Sequence, residues 1–137
     1  MERFLGRFEP YIYAILRIIA GFLLFWHGSM KLLGFPPPKQ PIALDGLMAT
    51  SGVIELVGGL MIILGLFAGF AAFIASGELA VAYFMAHAPQ GFFPILNGGE
   101  LAVIYCFVLL YIASRGSGLL SIDSLINRGK ARTVEET

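Results

Sequence analysis

The stretch from Tyr11 to Gly34, YIYAILRIIAGFLLFWHGSMKLLG, limits the fold of this chain more than any other. It is apolar and long enough to cross a bilayer as one helix, because about 20 residues at ~1.5 Å each cover the ~30 Å hydrocarbon core. Yet it carries Arg17, His27 and Lys31. A charge at mid-membrane costs about 2.5–3.5 kcal/mol on insertion scales, so these residues need partners or water. At about 3.6 residues per turn, Arg17, Gly21, Leu24, Gly28 and Lys31 fall along one stripe, with His27 beside it. A stripe of bases and small residues suits the inside of a bundle. The rest of the chain has to supply acids for it.

Composition agrees. Of 137 residues, 58% are hydrophobic and 13% charged, against about 25% charged in a soluble domain. Mean hydropathy is +0.83. Residues 1–137 therefore read as one small integral membrane unit whose first partner is the lipid bilayer. The formal net charge is zero and no basic run occurs, which speaks against nucleic acid as a partner. One cysteine, Cys106, forms no internal disulfide or dithiol pair and counts against an intramolecular thiol–disulfide relay. Its ordinary reading is a buried, inert thiol. The first apolar stretch exceeds the roughly 7–15-residue core of a cleaved signal peptide, and no small-x-small cleavage site follows it.

The expected fold is all-α, a polytopic membrane four-helix bundle with a short C-terminal interfacial helix. The spans are placed at about 11–33, 45–66, 69–86 and 99–113, the interfacial helix at 118–127 and a polar, mobile tail at 128–137. Met1 to Pro10 is a short lead at headgroup level, and Pro10 suits the first turn of the first span. Gly34 ends that span. The prolines of FPPPKQP exclude helix and make a stiff spacer. Asp45 is a candidate cap for the second span. Apolar character barely pauses between the second and third spans, so a tight turn is placed at Gly65-Leu66-Phe67-Ala68-Gly69. Arg3, Arg7, Arg115, Arg128, Lys130 and Arg132 flank the termini, while the opposite edges hold Lys31 and Lys39. Positive charge gathers on the cytoplasmic side, so the expected topology has both termini inside.

Every span carries ionisable groups: Arg17, His27 and Lys31 on the first, Glu55 on the second, Glu78 and His87 on the third, and Glu100 on the fourth. Polar groups on four helices point at one interior, and Tyr105 is a candidate to line it. Trp26 and Tyr83 read as core packing or interfacial aromatics. Counting depth at ~1.5 Å per residue groups Arg17 with Glu78, and His27, Lys31, Glu100 and His87 in the outer half. Two bases against three acids leave a charge of −1, so proton uptake is a natural event there. Ion pairs can also simply fix helix packing, but burying them rarely stabilises relative to an apolar core. His27 and His87 in principle suit a b-type haem, which is disfavoured because His87 sits at a helix end. No metal-ligand spacing, phosphate loop or nucleophile motif is visible.

Several pieces occur in a fixed order. They are Arg17, Gly21, Phe25, His27-Gly28 and Lys31-Leu32, then Glu55, Gly58-Gly59 and Gly65. Glu78, Ala86-His87, Glu100, Tyr105 and Gly116-Ser-Gly-Leu-Leu-Ser-Ile-Asp123 follow. From Arg17 to Asp123 the chain resembles the DoxX family of four-helix membrane proteins. The resemblance implies a bacterial inner-membrane protein. In some relatives it implies work beside sulfur or thiol oxidation with electrons passing to quinone, or a part in resistance to oxidative stress. On that reading His27, Lys31, Glu55 and Glu100 meet a quinone headgroup or a small sulfur anion, Glu55 or Glu78 passes protons, and electrons come from a redox partner protein. A proton-coupled solute transporter and a scaffold without chemistry stay open, as does self-association.

Overall fold

The computed structural model describes residues 1–135, with side chains through residue 130. The chain is helical from near its start. Helix α1 (Glu2–Leu5) and a 3-10 turn lead directly into α2 (Glu9–Leu33), with Pro10 in the first turn, where its missing N–H does no harm. The lead before Pro10 is thus part of a helical run rather than a separate segment. Gly34 stops α2 in the left-handed region at φ 66°, and the proline-rich loop follows.

Helix α3 (Gly46–Leu64) starts at Asp45, whose Oδ1 accepts the Met48 N–H at 2.8 Å. It ends at Gly65, φ 65°. The reversal into α4 (Ala68–Ala82) is the tight turn expected there. Phe67 sits in it at φ 48°, held by its N–H to Asp123 Oδ2 at 2.9 Å. The third helix runs on through a π-helical turn (Tyr83–His87) and a 3-10 turn to Gln90. The short α5 (Pro94–Asn97) precedes α6 (Glu100–Arg115).

The helix expected at 118–127 begins later and runs further, as α7 (Ile122–Glu135). Residues 128–135 are therefore helical rather than a loose tail, and residues 136–137 lie outside the described residues. Three helical runs are long and apolar enough to cross a membrane, Glu2–Leu33, Gly46–Leu64 and Ala68–Gln90. The fourth helix, α6, has 16 residues, ~24 Å at ~1.5 Å per residue, and falls short of the ~30 Å core by itself.

Neighbouring helices run antiparallel. Gly21 of α2 lies against Gly59 and Ile62 of α3, and Gly28 lies against Gly52 and Leu56. At Gly28 an added Cβ would stand 2.3 Å from the Leu56 nitrogen, so the two backbones are in contact and only hydrogen fits. Alanines 71, 72 and 75 of α4 are buried in one cluster with Leu109 and Ile112 of α6. Large apolar side chains such as Phe22, Phe70, Phe73 and Phe107 point outward, as lipid contact demands. Glu9 pairs with Arg115, tying the start of α2 to the end of α6. Both termini therefore leave from one end of the bundle.

Arg17 corrects the sequence-based expectation most clearly. It is fully buried, but among the described residues its guanidinium forms no ion pair with a carboxylate. Nη1 donates to the Ile62 and Ile63 carbonyls at 2.5 and 2.9 Å, and Nη2 to those of Leu119 and Leu120 at 3.1 and 2.8 Å. The last carbonyls of a helix have no partners within it and carry its negative dipole end. Arg17 satisfies them for α3 and pins the α6–α7 connection at the same time. Glu78 lies in the other half of the bundle, against Ser51. The room that Gly21 leaves on α2 is taken by α3.

Candidate functional site

In the half of the bundle away from the termini, three helices contribute to one polar chain. Lys31 Nζ of α2 is 2.7 Å from Glu55 Oε2 of α3. The same Nζ donates to Ser51 Oγ at 2.7 Å, and Ser51 Oγ donates to Glu78 Oε1 of α4 at 2.6 Å. The geometry follows from helix direction. Side chains lean towards the N-terminus of their own helix. Lys31 therefore leans back along α2, and Glu55 on the antiparallel α3 leans towards it. Ser51 stands one turn before Glu55 on the same face, where positions i and i+4 align. Arg17, on the same helix as Lys31, also leans back towards the start of α2 and so away from Glu78, onto the carbonyls that end α3.

The chain is short of one positive charge. Lys31 faces two carboxylates, Glu55 and Glu78. Glu55 is 3% exposed. Glu78 Oε2 is buried with no hydrogen-bond partner, and Glu55 Oε2 has the ion pair but no aligned hydrogen bond. A lone excess charge in so dry a place is costly unless a proton or a ligand hydrogen offsets it.

Beside this chain lies a groove of about 480 Å³ between α3 and α4. Lys31, Asp45, Thr50, Ser51, Glu78 and His87 form its polar lining, and Ile54, Ile74, Val81 and Met85 are among its apolar walls. Ile74, Val81 and Met85 are 41%, 52% and 56% exposed, so the groove opens sideways onto the surface that lipid would cover.

His87 reaches the groove through the π-helical turn, which carries an extra residue per turn and re-aims the side chains after it. Its ring stacks on Tyr83 at 6.2 Å between centroids, and its Nδ1 is 3.2 Å from the Asn97 carbonyl. Asn97 in turn donates from Nδ2 to the Gly91 carbonyl at 2.6 Å and to the Tyr83 hydroxyl at 3.3 Å. The Tyr83 hydroxyl donates to the Phe92 carbonyl.

Of the eight residues singled out from sequence, the structure brings Lys31, Glu55, Glu78 and His87 together. His27 and Tyr105 form a separate ring contact, 6.2 Å between centroids, between α2 and α6. Glu100 is exposed in the first turn of α6, and no hydrogen bond or ion pair involves it among the described residues. Arg17 is at the other end. Ser51 and Asn97 were not foreseen. Ser51 had a signal, its position one turn from Glu55. Asn97 had none, since its role depends on how loop 88–99 folds back on Tyr83.

A sequence model of the DoxX family matches residues 12–88. A Haemophilus influenzae protein described as uncharacterised is 43% identical over 126 residues, 88% of this chain and 94% of its own length. A second uncharacterised protein of that organism is 32% identical over 94 residues, 69% of this chain and 62% of its own length. A Bacillus subtilis protein, named provisionally as the oxidoreductase CatD, is 27% identical over 120 residues, 85% of this chain and 87% of its own length. No solved structure matches the chain significantly. The family match covers more than half of the chain, and the first Haemophilus relative extends it over nearly all of it, so this protein belongs to the DoxX family.

Proposed function

We propose that this protein is the membrane subunit of a redox system, and that the α3/α4 groove receives a lipophilic redox carrier of the quinone class. One observation carries the reading: the groove has a polar inner lining and apolar walls, and it opens to the side rather than to an end of the bundle. A water-soluble solute or a small sulfur anion gains nothing from apolar walls. A ring with polar substituents and an apolar tail uses both parts. The volume lies within the ~300–1,000 Å³ usual for small-molecule sites. Lys31 is also already engaged by Glu55 and Ser51, which weighs against a simple anion site.

The name of the Bacillus relative points the same way. Among the described residues nothing has a motif for a tightly held electron carrier, so electrons reach the groove from a partner protein. The setting is the bacterial inner membrane, with both termini in the cytoplasm, because the Arg and Lys excess lies at the terminal end.

The test is purification of the native protein in mild detergent, followed by solvent extraction and identification of bound lipophilic redox molecules and co-purifying proteins. A quinone present in near-stoichiometric amount, and depleted in Lys31→Leu, is the expected result. A quinone content no higher than in an unrelated membrane protein of the same membranes overturns it. The missing positive charge in the Lys31, Glu55 and Glu78 chain favours a second reading, a proton-coupled transporter, which a pH-driven flux in sealed vesicles of the pure protein would support.

A further inference from the structure

A different cleft, of about 470 Å³, lies at the terminal end of the bundle between the start of α2, the end of α3 and α7. The span α3 ends at Leu64, so this cleft sits where hydrocarbon gives way to headgroups. Leu64, Leu120 and Leu125 are among its apolar walls, and they are 42%, 64% and 66% exposed. Among the described residues that line it, Arg128 alone is charged. Arg128 is exposed and has no hydrogen bond or ion pair among the described residues. Asp123, the acid in the first turn of α7, is turned into the protein: its Oδ2 accepts from the Phe67 N–H at 2.9 Å and from the Ser117 hydroxyl at 2.5 Å. Leu120 holds a left-handed φ of 51°, which is unfavourable for a residue with a Cβ. Arg17 fixes that turn through the Leu119 and Leu120 carbonyls. The outcome is an exposed leucine and a free guanidinium lining the same cleft.

We propose that this cleft holds an anionic phospholipid, with its acyl chains against Leu64, Leu120 and Leu125 and its phosphate on Arg128. A phosphodiester carries one negative charge over two free oxygens, and a guanidinium can meet both with parallel N–H groups. An ammonium in the headgroup would bring a second cation to Arg128 while Asp123 is already engaged, so a lipid without one is preferred. A soluble phosphate makes no use of the leucine walls. Helix α7 has the build of a helix that lies in the interface, with Ile122, Leu125 and Ile126 on one side and Arg128 and Lys130 flanking them. The cleft is at the opposite end of the bundle from the α3/α4 groove, and the inference does not depend on what that groove binds.

The experiment is native mass spectrometry of the full-length protein, released from detergent that contains equal amounts of dioleoyl phosphatidylglycerol and dioleoyl phosphatidylcholine. The protein should retain phosphatidylglycerol in preference to phosphatidylcholine by about five-fold or more, the scale set by a basic residue at a lipid surface. In Arg128→Gln the preference should fall to about two-fold or less, and Arg128→Lys should restore part of it, since the charge returns without the fork. Arg3→Gln removes the same charge from the terminal end outside the cleft and should change nothing. Equal uptake of the two lipids overturns the inference. So does a preference that falls as far in Arg3→Gln as in Arg128→Gln, because diffuse charge rather than the cleft would then select the lipid. Displacement of the lipid by millimolar inorganic phosphate overturns it in favour of a soluble anion, and a dimer that carries no lipid overturns it in favour of a second copy of the chain. Melting in detergent is the check on the variants: Arg128→Gln should melt with the parent, and an unfolded Arg128→Gln contradicts the unpaired Arg128 on which the inference stands.

Discussion

Lys31 Nζ lies 2.7 Å from Glu55 Oε2, and the two side chains are 20% and 4% exposed. They are the sole ion pair between α2 and α3 among the described residues, and they stand three residues along from Gly28, where those helices touch.

Removing one member of this pair strands the other. Lys31→Leu should cost about 3–5 kcal/mol of stability, less if Glu55 takes up a proton. Lys31→Leu combined with Glu55→Leu should recover much of that loss, because a buried pair is often no more stable than apolar residues of similar volume. Thermal melting in detergent of the two single variants and the double variant measures the coupling. Additive costs would show that the pair does not act as a unit.

Arg17→Leu should be among the most damaging single changes in the chain, since it leaves the Ile63, Leu119 and Leu120 carbonyls without a donor and the Ile62 carbonyl with the Gly65 N–H alone. Each buried acceptor so stranded costs about 1–3 kcal/mol, though relaxation keeps the sum below about three times that. Arg17→Lys should rescue only part, because an ammonium lacks the planar fork that reaches two segments at once. Combining Arg17→Leu with Glu78→Leu should give additive losses within about 0.5 kcal/mol, as for sites without shared partners. A clear rescue in the double variant would restore the Arg17–Glu78 pair that the fold excludes.

Gly28→Ala should loosen α2 from α3. The new methyl meets backbone atoms of Gly52 and Leu56 rather than a flexible side chain, so the helices must part. Overpacking of this kind costs about 1–3 kcal/mol. Gly77→Ala, where a Cβ meets nothing within 4 Å, is the matched control and should be nearly silent. Equal melting temperatures for the two variants would contradict the close approach.

A reporter fused after Thr137 should be active only when it is a cytoplasmic type, given the basic residues around both termini. Activity of a periplasm-dependent reporter at that position would invert the topology. It would leave the bundle itself untouched, because antiparallel packing does not depend on which side faces in.

Hydropathy and turn chemistry were enough to read the helical membrane fold. An apolar run of span length leaves few alternatives, since backbone polar groups in lipid must bond within the segment. Gly34, Gly65 and Asp45 marked helix ends for local reasons that need no neighbours, and the structure places caps at all three. The charged positions were legible as residues that need company. Their company was not. Sequence counts depth along each helix but carries no information on how far one helix slides past another, or which way a side chain leans once its helix has a direction. Those two facts placed Arg17 on the carbonyls of α3 and joined Lys31 to Glu55 and, through Ser51, to Glu78. The groove with its polar inner lining exists only because α3 and α4 come together there, so only tertiary packing decided it.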